Sequence, residues 1–171
     1  ALVAVGTLGL AAGLWLASAT PAPLRVGDAG VAVERGREIL RILWCDVEEI
    51  RLEGERLEVR SKAFTLAIPL DASAAAVADV VAQADRRRPA VVRLDDAARK
   101  RLPASREPAG EDVPVVGEQI AGRRCAASGE ILAFERDARL CPGCGQAYEK
   151  SHVPESCATC GAALAGRAIA P

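Results

Sequence analysis

The chain has 171 residues, half of them hydrophobic and 26% charged, with a formal net charge of -1. That length supports one modest domain plus a small module, and there is no dominant basic field to collect polyanions. Aromatic residues make up 3% and Met is absent, so cores must be built from Val, Leu, Ile and Ala, which argues against a large aromatic-lined ligand pocket.

Ala1 to Ser18 carry no charge and no strongly polar group, and the apolar run continues through Ala19 and Thr20 before Pro21 can end it. At about 1.5 Å per residue, about 20 residues cross a hydrocarbon layer of roughly 30 Å, so residues 1–20 are expected to form a transmembrane helix. Trp15 suits an interfacial anchor near the exit. Two other readings stand beside it. Ala17-Ser18-Ala19 has the small-residue pattern of a signal-peptide cleavage site, but neither an initiating Met nor a basic leader precedes it. A buried helix of a soluble core rarely stays uncharged for this long. The expectation is a hydrophobic region that begins upstream, in a longer protein. Gly9 and Gly13, followed by Ala17, place small residues on one helix face, as in a helix-mediated homodimer or a hairpin with an upstream helix.

Residues 24–89 alternate with period two and then turn helical, the pattern of a small antiparallel β-meander followed by a helix. Leu24 to Val26 and Val31 to Arg35 flank the turn Gly27-Asp28-Ala29-Gly30. Ile39 to Cys45 and Val47 to Leu52 form the next extended stretch, interrupted near Asp46, and Glu53-Gly54-Glu55 reverses the chain into Arg56 to Arg60. Phe64, Leu66, Ile68 and Leu70 then define a one-sided strand, with Pro69 confined to its end or to an edge. Ser73 is a candidate cap for a helix reaching about Arg87, with Val77, Val80, Val81 and Ala84 on its apolar face. Arg86, Arg87 and Arg88 close that helix, where its dipole attracts cations. Cys45, beside Trp44 in an apolar stretch, reads as a small buried hydrophobe.

The stretches Gly30-Val31, Leu43-Trp44-Cys45-Asp46-Val47, Leu57-Glu58-Val59 and Phe64 to Leu70, closed by a helix, resemble bacterial PH-like domains. The resemblance covers about 65 residues and implies a scaffold for protein contacts beside a membrane. Phosphoinositide-binding members use basic residues in the first hairpin, and this chain has Asp28 there, so headgroup binding is not carried over.

Residues 90–114 hold a short dipole-matched helix, from Asp95-Asp96 to Arg99-Lys100-Arg101, and a linker rich in Pro, Gly, Ser and charge from Pro103 to Pro114. Residues 115–171 carry the most specific signal. Cys141-Pro-Gly-Cys144-Gly and Cys157-Ala-Thr-Cys160-Gly are two C-x-x-C hooks with twelve residues between them, the spacing of a four-cysteine zinc ribbon. Four protein ligands leave no open position, so one structural Zn2+ is expected, with paired disulfides or a redox dithiol as the competing readings. Arg124-Cys125 through Phe134 to Leu140 suggests a hairpin before the first hook. Cys125 and Ser128 repeat the hook spacing with one ligand missing, and His152 is the only histidine. With the four hook cysteines these resemble a degenerate RING-like or treble-clef pattern, which makes Cys125 and His152 secondary ligand candidates.

The sequence-based fold class is therefore α+β: an N-terminal transmembrane helix, a PH-like meander capped by a helix, a linker and a zinc-ribbon module. The expected function is a bacterial, non-enzymatic, membrane-anchored adaptor, because no phosphate loop and no set of acid–base partners is visible. Its protein partner is unspecified. One alternative is a RING-like module that recruits a protein-modification enzyme. Another is a nucleic-acid-binding ribbon, which the balance of six basic against six acidic residues from Gly117 onward disfavours, with only Phe134 and Tyr148 there to stack on bases. Free thiolates persist in a reducing compartment and Arg25, Arg35 and Arg37 follow the apolar run, so the soluble part is expected to face the cytoplasm.

Overall fold

The computed structural model describes residues 23–35, 38–102 and 119–170. The expected transmembrane helix over residues 1–20 and the expected linker at 103–114 lie outside the described residues. Among the described residues no helix is long and apolar enough to cross a membrane.

Small antiparallel sheets and helices alternate along the chain. The first sheet has the order β1-β2-β3, from Leu24–Val26, Gly30–Arg35 and Glu38–Leu43. Its register sets Gly30 opposite Leu43 and Val31 opposite Ile42. The second has the order β4-β5-β6, from Val47–Glu53, Arg56–Ser61 and Thr65–Pro69. Here alternation sorts side chains as a pleated strand requires: Ile50, Leu57, Val59, Leu66 and Ile68 are buried while Arg51, Arg56 and Arg60 face out. Pro69 ends β6, where its missing donor costs no ladder bond.

Trp44–Asp46 forms a single 3-10 turn between the two sheets. The extended stretch therefore stops at Leu43, two residues before the expected Cys45. The fully buried Trp44 causes the break: its amide donates to the Ala29 carbonyl at 3.1 Å, and its indole N–H donates to Gly27 at 2.8 Å. An indole is buried at little cost only when its N–H has an acceptor, and the β1–β2 turn supplies it.

Helix α1 spans Leu70–Arg87, so it starts three residues ahead of the expected Ser73 cap. No side chain caps it; the Leu70 amide instead donates to Glu55 at 3.0 Å, which carries the β5–β6 ladder into the first helical turn. Val77, Val80, Val81 and Ala84 are buried, and the helix packs against β1, β5 and β6. After it, Arg93 donates to Ile50 at 2.7 Å and Val92 pairs with Ile50, which covers part of the outer edge of β4. Helix α2, Asp96–Arg101, is capped by the Asp95 carboxylate on the Ala98 amide at 2.7 Å. The cysteine-rich module contains one two-stranded sheet, β7 (Ala138–Leu140) with β8 (Ala147–Glu149).

At Gly30 a side chain has no room, since an added Cβ would overlap the Ile42 carbonyl oxygen and approach Leu43 Cα to 2.8 Å. Gly30→Ala is expected to cost about 2–3 kcal/mol through backbone displacement, read as a lowered midpoint in urea denaturation at an unchanged slope.

Candidate metal centre

The two hooks fold into the same turn. In the first, the Gly145 amide donates to Cys141 at 2.9 Å and the Cys141 amide to Gln146 at 2.9 Å; in the second, Gly161 donates to Cys157 and Cys157 to Ala162, both at 2.8 Å. Each closing glycine has positive φ, +76° at Gly145 and +73° at Gly161, a conformation open to glycine because it lacks Cβ. At Gly143 an added Cβ would stand 3.2 Å from the Cys160 sulfur, so a side chain there would press the second hook back by a few tenths of an ångström.

This geometry brings Cys141, Cys144, Cys157 and Cys160 together, with all four sulfurs within 4.8 Å of one another. Cys141 and Cys160 are 3.6 Å apart, as are Cys144 and Cys157. A disulfide requires about 2.05 Å. Bonds of about 2.3 Å from a central ion to tetrahedral sulfurs give edges of about 3.8 Å, so the cluster fits a four-coordinate metal with little adjustment. Three of the cysteines are buried and Cys160 is half-buried.

Hydrogen-bond donors surround the sulfurs, as is usual around metal thiolates. The Gly143 amide reaches Cys141 at 3.3 Å, and the Thr159 amide reaches Cys157 at 3.4 Å. Tyr148, fully buried, donates its hydroxyl to the Cys157 sulfur at 3.2 Å and accepts from the Ala158 amide at 3.0 Å. Burial pushes the Cys157 thiol up, but the hydrogen bonds from Tyr148 and from the Cys160 and Thr159 amides outweigh it and bring its pKa down to about 7. Burial dominates at the other hook, raising Cys141 to about 11 and moving Cys144 further in the same direction.

Cys125 and His152 stand apart from this group. The stretch Cys125 to Gly129 forms a third turn of the same design, with Gly129 donating to Cys125 and Cys125 to Glu130 at 2.8 Å, but its sulfur accepts from the Ser128 and Glu149 amides at 3.4 and 3.3 Å. His152 is exposed, with Nδ1 2.8 Å from the Glu149 carboxylate. Among the described residues, the four hook cysteines are the only cluster able to hold a metal ion. Cys45 is half-buried beside Asp46, and burial raises its thiol to about 12.

Tyr148 carried no sequence signal as a hydrogen-bond donor to sulfur; the sequence offered it only as one of two aromatic side chains able to stack on bases. Burial removes it from any base-stacking surface. The roles of Arg87 and Arg88 also escaped the sequence, which indicated only that they match the helix dipole. Arg87 donates to the Gly143 carbonyl at 2.7 Å, and Arg88 to the Trp44 and Cys45 carbonyls at 3.1 Å.

Comparison with family models, curated proteins and solved structures finds no match to this chain. The PH-like and RING-like resemblances therefore rest on local patterns alone.

Replacing Tyr148 by Phe removes a sulfur hydrogen bond while conserving the ring, and is expected to weaken metal affinity about 10–100-fold at unchanged stoichiometry in a chelator competition titration. The same titration should depend on pH. Ligands bind as thiolates, and Cys141 and Cys144 are held protonated at neutral pH in the metal-free state, so loading displaces at least their two protons. Affinity is then lost as pH falls, by at least about 100-fold per unit near pH 7 after correction for the chelator, whereas a flat profile would contradict the assignment.

Proposed function

We propose that the chain is a membrane-anchored, non-enzymatic adaptor in which Cys141, Cys144, Cys157 and Cys160 hold one structural zinc ion. The convergence of four sulfurs within 4.8 Å carries this reading, because a complete four-thiolate set leaves a metal no open position for water or substrate. Zinc is preferred because two matched C-x-x-C hooks are the spacing of a zinc ribbon; iron is the other metal that suits four thiolates.

In this reading the apolar run of residues 1–20 anchors the chain, the PH-like sheets and the zinc module present rigid surfaces to a protein partner, and the soluble part faces the cytoplasm, where thiolates stay reduced. The near balance of charge and the burial of Tyr148 weigh against nucleic acid. A RING-like recruiting module is the second reading, favoured by the third turn at Cys125, whose hydrogen bonds repeat those of the two hooks.

Metal content and thiol reactivity of the full chain, purified under reducing conditions without added zinc, test these readings together. One zinc per chain, with four of the six thiols unmasked by a chelator, supports the structural ribbon. Two zincs would move the RING-like module ahead. Iron in place of zinc, or a metal-free chain with disulfides, would overturn the assignment and the compartment argued from it.

A further inference from the structure

The first hook does more than hold two sulfurs. Its carbonyl groups at Gly143 and Cys144 accept hydrogen bonds from outside the module: Gly143 from the Arg87 guanidinium at 2.7 Å, and Cys144 from the Cys45 amide at 3.0 Å. Gly145, the next residue, lies against Leu43, whose Cδ1 is 3.5 Å from the position a Cβ would take. Three consecutive residues of the hook thus meet the sheet region, Gly143 at the end of α1 and Cys144 and Gly145 at the break between the two sheets.

The receiving surface is itself held from one place. The C-terminal end of α1 supplies Arg88, which binds the Trp44 and Cys45 carbonyls, and Arg87, which binds Gly143 while its guanidinium also engages Gln83 and Asp28. The Arg87 side chain is only 11% exposed, so its contact with Gly143 is shielded from solvent. A second strap joins Arg123 of the module to Asp46 at 3.0 and 3.1 Å.

From this arrangement we infer that metal loading latches the cysteine-rich module onto the sheet region, and that losing the metal releases it and uncovers the Leu43–Asp46 surface. The inference rests on the reading of the four hook cysteines as metal ligands. The backbone torsions that aim the Gly143 and Cys144 carbonyls outward belong to the same five residues that place the Cys141 and Cys144 sulfurs. A bound ion fixes those torsions. Without it, the hook is held by short pairings, one sheet of two three-residue strands and the bridges Arg124–Ile131, Leu140–Ile169 and Ser156–Ala163, which are too small to keep it closed. Coupling of this kind is reciprocal, so docking must tighten metal binding by the same factor by which metal tightens docking. The proposed adaptor would then present one surface when loaded and another when empty.

The full chain tests this with zinc alone as the probe. Chelation is expected to speed hydrogen exchange of the Cys45 amide at least about tenfold, because its acceptor on Cys144 departs. Arg87→Ala is expected to weaken zinc affinity by about 5–150-fold while still binding one zinc with unchanged helical content. Equal exchange at Cys45 in zinc-loaded and zinc-stripped chains would overturn the latch. So would wild-type zinc affinity in Arg87→Ala, or in Arg87→Gln should the alanine variant not fold. A wild-type chain that takes up no zinc at all sinks the metal assignment itself, an outcome separate from one that binds zinc without coupling.

Discussion

Four cysteine sulfurs within 4.8 Å of one another, three of them on buried residues, can be ionised together only around a cation. At the 3.6 Å separating the closer pairs, two unit charges in surroundings of effective dielectric about 20 repel by about 5 kcal/mol. Protons relieve that repulsion in the metal-free state, and burial favours them on Cys141 and Cys144. A divalent ion relieves it by attraction and ties two distant turns to one point. Among the module's described residues the other ties are small: one sheet that pairs three residues with three, isolated bridges, and buried side chains such as Ile120, Leu132, Tyr148 and Leu164.

The sheet region depends on a different balance. Its core is aliphatic, drawn from both sheets and one face of α1, and Trp44 fills the corner where β3 gives way to β4. That corner is unusual in being polar on its outer side. The Trp44 and Cys45 carbonyls, the Cys45 amide and the Asp46 carboxylate all find partners on α1 or in the cysteine-rich module. Loops that leave backbone groups unpaired are costly to bury, and here each part of the molecule satisfies groups exposed by another. The joint between them includes hydrogen bonds, one shielded guanidinium and the contact of Leu43 with Gly145, and the buried hydrophobic residues of the two parts form one cluster.

Several elements were legible in the sequence because local physics decides them. Alternation from Phe64 to Leu70 marks a one-sided strand, which forms over Thr65–Pro69, and acidic Asp95-Asp96 before basic Arg99-Lys100-Arg101 marks a short helix, to which the structure adds the Asp95 cap. The hook spacing carries its geometry in the same way, since C-x-x-C-G places two sulfurs on one turn. Other readings failed where a distant group intervened. The Ser73 cap was displaced because Glu55 supplies an acceptor to Leu70, and the strand through Cys45 was cut because Gly27 and Ala29 accept from Trp44.

The sequence by itself determined the aliphatic meander, the amphipathic helix and the four sulfurs at matching spacing, all of which follow from residues within about one turn or one strand of each other. Only the tertiary structure decided that Tyr148 donates to Cys157, that Cys125 and His152 stay out of the cluster, and that Arg87 leaves its helix end for the Gly143 carbonyl. Arg87 and Gly143 lie 56 residues apart, and Arg123 and Asp46 lie 77 apart. No periodicity or motif encodes such pairs, because each depends on where two separately folded elements come to rest.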